Sequence, residues 1–380
     1  MDKKKKILVI MGRYLPGYKD GGPVRSIKNL TDYLGGEYDI RILTCDRDHG
    51  DEQTYPNIKV NGWNEVGNAM VYYVPPKGFT CKVIKQLASE VDLVYVCGCY
   101  SDYAIKTLLL KRFGKIKKNV VVAAMGLFSP KVFQLKSLKH KTFITICNLA
   151  GVFRNVYWSA TSTSEVTNIK KQIWTKDEQV YVAEDLPRLV DATSVTKSKK
   201  EGHLRVVWIS RISHEKNLLQ AISILANVKA KIEFTIYGPQ HDLEYWQMCK
   251  NALNVLPKNI QWTWEGAINS EEVVQILKEH HVFLFPTFGE NYGHVIQEAL
   301  SAGCAVIVSN QTMWKNLEQC GVGYVFSLDE QQKYMDAIEK YAGMSEEQLQ
   351  NVADKALNYA IDHSIQKAKD TGYRKLFDDL

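Results

Sequence analysis

The sequence predicts an α/β protein built as two doubly wound domains, and three observations carry that expectation. Short runs of β-branched and aromatic residues alternate with longer segments of helical period, the pattern of parallel strands joined by crossover helices. The alternation occurs twice, once in each half of the chain. Between the halves lies Asp191–Gly202, rich in Lys, Ser and Thr and without apolar period. A length of 380 residues suits two domains of ordinary size and allows a sizeable core. A single (β/α)8 barrel would alternate in the same way, and the polar break in mid-chain argues against it.

In the first half the expected strands are Lys6–Met11, Tyr38–Cys45, Met70–Val74, Leu93–Cys97, Val120–Ala124 and Tyr157–Ala160. Helical patterns such as Val24–Leu34 and Cys81–Glu90 lie between them. The second half repeats the scheme with strands at Arg205–Ser210, Glu233–Tyr237, Ile260–Trp264, Val282–Phe285 and Ala305–Ser309. Its helices are expected at Leu218–Val228, Leu243–Leu256, Glu271–His280 and Gly293–Ala302. Ser345-x-x-Gln348 reads as a capping box opening a further helix. Two such domains would leave a cleft between them, and ligands of such sheets bind beyond the carboxyl ends of the strands.

Charge is distributed unevenly. Residues 1–200 hold 32 Lys/Arg against 19 Asp/Glu, and residues 201–380 hold 16 against 23. From Lys106 to Lys141 there are ten basic residues and no acidic one. Such a stretch suits an anionic membrane surface or a phosphate-bearing acceptor, or it is a solvated face. No zinc-finger, RRM or helix-turn-helix pattern accompanies it, so nucleic acid is not the expected partner. The eight cysteines form no CxxC pair and no metal-ligand spacing with His, which fits a reduced cytosol. Lys3–Lys6 precede too few apolar residues for a secretory signal. No apolar run approaches the ~20 residues of a spanning helix. Thr142–Phe153 is apolar but short, and suits core or a membrane surface.

The most informative segment runs from Phe285 to Gly303 and contains Glu290-Asn291-Tyr292-Gly293-His294 and, further on, Glu298. A strand ends at Pro286, a loop with Gly289 and Gly293 follows, and an amphipathic helix runs to Gly303. Glu290 then precedes a helix N-terminus, and Glu298 lies about two turns inside the helix. Eight residues at helical rise would separate the carboxylates by roughly 12 Å. Glycosidase acid/base pairs sit about 5–9.5 Å apart, so a hydrolase pair is disfavoured. The longer spacing suits a long ligand, with sugar hydroxyls at one carboxylate and a ribose at the other. The diphosphate between them would lie against the free N–H groups of the helix start. The plain alternative is a dipole-favoured Glu290 and a surface Glu298.

Two further segments bear on phosphate chemistry. Arg211 and Lys216 lie in a loop that follows a strand and opens a helix, where an Arg fork and a Lys point charge can hold a diphosphate. Gly21-Gly22-Pro23 lies between the first strand and first helix, where glycine lets the backbone approach a phosphate closely. A solvated loop and a tight turn are the plain alternatives.

Together these segments resemble the family 4 glycosyltransferases, the retaining GT-B group that builds bacterial lipopolysaccharide, O-antigen, capsule and related glycans. Glu290-x7-Glu298 matches that family's E-x7-E motif, Arg211 and Lys216 its diphosphate-binding pair, and Gly21-Gly22 its N-terminal glycine loop. Thr161-Ser162 with Glu165 resembles the end of its N-terminal domain. The resemblance implies two Rossmann-like domains facing a central cleft: residues 1–190 for the acceptor and 203–360 for the nucleotide sugar. Residues 361–380 would form a helix packing back toward the first domain.

The roles implied follow residue by residue. Glu290 would hold donor-sugar hydroxyls, and Asn291, Tyr292 and Gly293 would offer backbone groups to sugar and phosphate. Glu298 would bind the ribose, Arg211 and Lys216 would neutralise the leaving diphosphate, and Gly22 would approach it from the facing domain. The implied donor is a UDP-sugar, with no cofactor and no metal required. The implied acceptor is a lipid-linked saccharide at the inner face of the cell membrane, and the enzyme would be cytoplasmic or peripheral there. The segment Lys131–Lys141, with Phe133, Leu135 and Leu138, is the expected membrane contact.

The sequence departs from the family at Ala124-Met125-Gly126, where Met125 replaces a His common in the group. His294 is a substitute only by proximity, and packing or helix capping is its simpler role. Asp46-Arg47-Asp48 forms a DxD, the mark of metal-dependent transferases of another fold, and reads here as loop charge. A sugar-nucleotide epimerase or hydrolase of the same fold, or a non-catalytic sugar-binding scaffold, are the competing expectations. The intact set Arg211, Lys216, Glu290 and Glu298 argues against the scaffold.

Overall fold

The computed structural model describes residues 4–128, 137–191 and 193–380. Most of the expected basic membrane segment, including Lys131, Phe133, Leu135 and Lys136, lies outside the described residues. The chain divides into two units, Met1–Pro187 with Lys367–Leu380, and Arg188–Gln366.

The first unit is an eight-stranded sheet in the order β3-β4-β2-β1-β5-β6-β7-β8. Its strands are β1 Lys6–Ile10, β2 Asp39–Cys45, β3 Trp63–Val66, β4 Ala69–Val74, β5 Leu93–Cys97, β6 Asn119–Ala123, β7 Tyr157–Ala160 and β8 Val180–Val182. Among the described residues of this unit only the β3–β4 pair is antiparallel. The helices are α1 Gly22–Leu34, α2 Cys81–Ser89, α3 Asp102–Arg112, α4 Ser137–Leu149 and α5 Thr163–Gln172. Alternate residues of β1 serve opposite layers, as the period of two requires. Ile7 and Val9 pack with Ile27, Leu30 and Leu34 of α1. Leu8 and Ile10 pack with Ile84 and Leu87 of α2 and Ala104 of α3. Both faces are covered, so β1 reads as one continuous apolar run.

The second unit holds a six-stranded parallel sheet in the order β11-β10-β9-β12-β13-β14. Its strands are β9 His203–Ile209, β10 Lys231–Tyr237, β11 Ile260–Trp264, β12 Val282–Phe285, β13 Ala305–Ser309 and β14 Gly323–Phe326. This is the order 3-2-1-4-5-6, with its topological switch between β9 and β12. The helices are α6 Leu218–Leu225, α7 Leu243–Leu253, α8 Val273–Lys278, α9 His294–Ser301, α10 Gln331–Gly343 and α11 Glu346–Lys369. The capping box forms reciprocally: Gln348 N–H donates to Ser345 Oγ at 3.2 Å, and Ser345 N–H to Gln348 Oε1 at 2.9 Å.

The division at Pro187–Arg188 falls ahead of the polar segment read as a linker. Lys197 and Lys199 of that segment are buried in the second unit. Lys197 Nζ donates to the carbonyls of Leu277, Lys278 and His280 at 3.1, 2.9 and 2.6 Å. Lys199 Nζ donates to those of Ala342 and Met344 at 2.7 and 2.6 Å. The apolar stems go inside while each ammonium caps the carbonyl end of a helix, α8 or α10.

Residues 361–380 are not one helix but the end of α11 followed by α12, Gly372–Asp379. α12 places Tyr373, Leu376 and Phe377 in the core of the first unit. It starts so close to β8 that a Cβ on Gly372 would stand 2.0 Å from the Val182 carbonyl oxygen. No helix among the described residues is long and apolar enough to cross a membrane.

Candidate functional site

Two loops meet at the switch point of the second sheet, one leaving β9 and one leaving β12. The first carries Arg211, which is exposed, and then makes a single 3-10 turn at His214–Lys216. It ends on Asn217 in the left-handed region (φ 57°), which starts α6. Asn217 tolerates that conformation, and its Nδ2 donates to the Pro286 carbonyl at 2.8 Å, bridging to the second loop.

The second loop is cross-braced to the first. Thr287 Oγ1 and Phe288 N–H both donate to the Glu215 carbonyl, at 3.1 and 3.0 Å. The His214 ring stacks on Phe288 with centroids 5.4 Å apart and an interplanar angle of 12°. Ser309 Oγ at the end of β13 donates to the Thr287 carbonyl at 2.6 Å. These bonds bring two of the predicted residues together: Lys216 Nζ lies 2.9 Å from Glu290 Oε2. The side chains are only 9% and 19% exposed, so the pair is largely desolvated. Glu290 takes one of the three ammonium donors of Lys216.

Gly293 joins the loop to α9 with φ 80° and ψ 56°. A Cβ there would stand 2.8 Å from Ile296 Cδ1 and 3.1 Å from Glu290 Cγ. Conformation and space therefore both demand glycine, and the bend keeps Glu290 beside the first turn of α9. At this start Ile296 N–H turns back to the Gly293 carbonyl at 2.8 Å, and a helix start in general favours negative charge. Tyr292 anchors the bend from within. Its carbonyl accepts the Trp314 indole N–H at 2.8 Å, and its hydroxyl lies 3.1 Å from His363 Nε2. Asn291 is exposed, and the buried His294 opens α9 with its ring 4.8 Å from that of Tyr292.

Glu298 differs from both sequence readings of its position. The helix starts at His294 after an irregular loop, so Glu298 lies just over one turn inside it and the fully helical 12 Å spacing does not apply. It is buried and not a surface residue, with Oε1 3.9 Å from Arg188 Nη1. That separation permits electrostatic attraction without a direct hydrogen bond. Arg188, Trp314 and His363 support this region and were not singled out in the sequence, where none belongs to a motif.

In the first unit the switch point lies between β1 and β5. Gly21 (φ 65°) follows β1 as the N-cap of α1, and Pro23 occupies the first turn. A Cβ on Gly22 would meet no atom within 4 Å, so the space above this backbone is open. Met125 and Gly126, where the family's His-Gly would stand, have φ 47° and 82°. Glu165 holds that turn by accepting the Gly126 N–H, and it also accepts Thr161 N–H and Oγ1–H at 2.7 and 2.8 Å. Nearby Asp185 is buried, with Oδ1 unpartnered. Burial, opposed by a hydrogen bond with Ser26 and reinforced by the Glu165 charge, pushes its carboxyl up to about 6.

The DxD carboxylates are taken up within the protein. Asp46 is buried and pairs with Arg47 at 2.8 Å, and Asp48 accepts backbone N–H groups. Among the described residues no group of three or more His, Cys, Asp or Glu is placed to hold a metal ion.

Residues 191–358 match the family described as glycosyl transferases group 1. No curated protein matches the chain by sequence. Among solved structures the chain is similar to WaaG, a glycosyltransferase involved in lipopolysaccharide biosynthesis, at 14% identity and a TM-score of 0.64, over 96% of this chain and 98% of that one. It is similar to Anabaena HepE, solved with UDP and glucose, at 16% identity and a TM-score of 0.66, over 96% and 98%. It is also similar to the Escherichia coli trehalose-6-phosphate protein bound with UDP-2-fluoro glucose, at 10% identity and a TM-score of 0.66, over 99% of each chain. These identities speak for fold, and the group 1 match covers the Lys216–Glu290 loops and α9. The chain has the GT-B fold, and its residues 191–358 match the group 1 glycosyl transferases.

Proposed function

We propose that the protein transfers a hexose or N-acetylhexosamine, with retention at the anomeric carbon, from a UDP-sugar to a lipid-linked saccharide acceptor of bacterial surface polysaccharide. The observation that carries this reading is the desolvated Lys216–Glu290 pair at the start of α9, 2.9 Å apart. A carboxylate accepts hydrogen bonds from sugar hydroxyls, and an ammonium beside a helix N-terminus stabilises a leaving phosphate. Arg211 adds the second cation, Asn291 and Gly293 offer backbone groups, and the buried Glu298 takes the ribose. Gly21 and Gly22 admit the diphosphate to the backbone of α1. The chemistry is positioning plus stabilisation of charge developing on the leaving group, and these residues provide it without a metal or cofactor. UDP is favoured because it accompanies two of the similar structures.

A lipid-linked acceptor implies peripheral contact with the inner face of the cell membrane, and the first unit offers a surface for it. Phe113, Ile146, Leu149 and Trp174 are each more than half exposed. Arg112 Nε donates to the Ala150 carbonyl, and Trp174 N–H to Asn148 Oδ1, which gathers these side chains around the end of α4. Exposed Lys139 and Lys141 lie on the same helix. In the apolar segment Thr142–Phe153, Ile144 and Cys147 enter the core, and Ile146 and Leu149 face out. Apolar side chains rimmed by lysines suit an anionic bilayer surface.

Thermal stabilisation of the purified protein by UDP, GDP, ADP and their sugars tests the donor. A ligand at 100-fold its Kd adds about 2.7 kcal/mol. Stabilisation by UDP that is lost in Arg211→Ala supports the reading, and equal stabilisation of that variant refutes the assignment of Arg211.

A further inference from the structure

Asp48 belongs to no part of the donor chemistry described so far, yet it is buried and its carboxylate is fully engaged. Oδ2 accepts the N–H groups of Tyr18 at 2.8 Å and Lys19 at 3.1 Å, and Oδ1 accepts that of His49 at 2.8 Å. The first two donors lie in the loop that leaves β1. Gly21 N–H donates to the Tyr18 carbonyl at 3.1 Å, so the residue held by Asp48 also closes the turn that delivers Gly21.

The rest of the loop after β2 grips the same segment. Lys19 Nζ pairs with Asp51 at 2.5 Å, and His49 Nδ1 lies 3.6 Å from Asp20. Tyr55 fills the space beneath Gly17, where a Cβ would stand 2.1 Å from its hydroxyl oxygen. Tyr55 is itself tied down by its N–H, which donates to the Asp46 carbonyl at 2.7 Å. Of all these contacts, only that of Asp48 places a charged acceptor on two successive N–H groups, and charge-assisted bonds of this kind are the strong ones.

We infer that Asp48 is a positioning residue for nucleoside diphosphate binding: it holds the loop after β1 so that Gly21 and Gly22 present open backbone to a phosphate. The inference rests on the reading of Gly21-Gly22 as a phosphate-approach site. It also explains why the DxD needs a second acid. Three donors converge on two oxygens, and an asparagine would turn its NH2 against at least one of them. A loop ordered before the ligand arrives spares the binding step the cost of ordering it.

Titration calorimetry with UDP, GDP and ADP on wild type, Asp48→Ala, Asp48→Asn and Gly22→Ala tests this. Gly22→Ala is a clean probe, because its new methyl group meets no protein atom within 4 Å. For the nucleotide that wild type binds, Gly22→Ala and Asp48→Ala are expected to weaken Kd at least tenfold. Asp48→Asn, which keeps one acceptor oxygen, is expected to fall between Asp48→Ala and wild type. If Asp48→Ala fails to fold, Asp48→Asn alone decides: a weakened Kd supports the inference and a wild-type Kd overturns it. A lowered melting temperature with Kd within twofold of wild type in both Asp48 variants also overturns it, because Asp48 is then architectural only. If Gly22→Ala binds normally, the glycine-loop reading itself falls and the inference falls with it. Weak binding by Gly22→Ala beside normal binding by the Asp48 variants sinks the Asp48 inference alone.

Discussion

Replacing Asp185 by asparagine should stabilise this protein at neutral and alkaline pH and do nothing in acid. The carboxyl is buried with Oδ1 unpartnered, and burial raises it from 3.8 to about 6. The folded state therefore binds this proton more tightly than the unfolded chain. Its stabilising contribution is complete below the unfolded value of about 4 and is lost as pH rises through about 6. Above both values a shift of about two units corresponds to about 3 kcal/mol against the folded state. Asparagine carries no such penalty and retains an oxygen for the Ser26 hydroxyl. Urea denaturation of both proteins at pH 4, 6 and 8 should then give curves that coincide at pH 4 and separate by up to about 3 kcal/mol at pH 8. For a domain of this size that is about 2–4 °C of melting temperature per kcal/mol. A difference constant with pH, or a variant less stable at pH 8, would refute the reasoning.

Other outcomes follow from the same geometry. Glu290→Ala should lower kcat/KM for the nucleotide sugar by about 10–150-fold, the equivalent of a charged hydrogen bond worth about 1.5–3 kcal/mol. Affinity for the free nucleoside diphosphate should change little, and comparing transfer rate with calorimetric Kd checks the split. Lys216→Met removes the cation and leaves Glu290 without its partner, so nucleotide affinity should fall and become less sensitive to salt, which calorimetry at two ionic strengths reads. Phe113→Ser with Leu149→Ser should reduce flotation with anionic vesicles at least tenfold while UDP stabilisation is unchanged. Retained flotation would remove this surface from the membrane reading.

Much of the fold was legible because both sheet faces are covered. A strand buried on each side is a continuous apolar run, so β1, β5, β12 and β13 stood out as such. β3 and β8 did not: one is a short antiparallel edge pair and the other spans three residues, Val180–Val182, too little for any period to register. The site was legible wherever chemistry and backbone demanded the same residue. Gly293 is required by its φ and by the side chains around it, and Lys216 and Glu290 by their charge. Glu298 was misplaced in depth because the helical period does not reveal where an irregular loop ends. Asp48 was read as loop charge because its partners are backbone N–H groups about 30 positions earlier, which no side-chain pattern announces. The segment containing Lys197 and Lys199 was read as a linker because composition scores a lysine by its charged tip and ignores its buried stem.

Those two lysines also decide how the second unit can be cut free. A fragment begun at His203, where the first strand starts, would lose both ammonium groups. The carbonyls of Leu277, Lys278, His280, Ala342 and Met344 would lose donors that water reaches poorly. A fragment begun at Arg188 keeps them. The twelve or so polar residues before β9 therefore act as an internal tether that carries its own counter-charges. Acetylating Lys197 before folding would remove its charge and leave one amide N–H for the three carbonyls at the end of α8, while Lys199 would still cap α10.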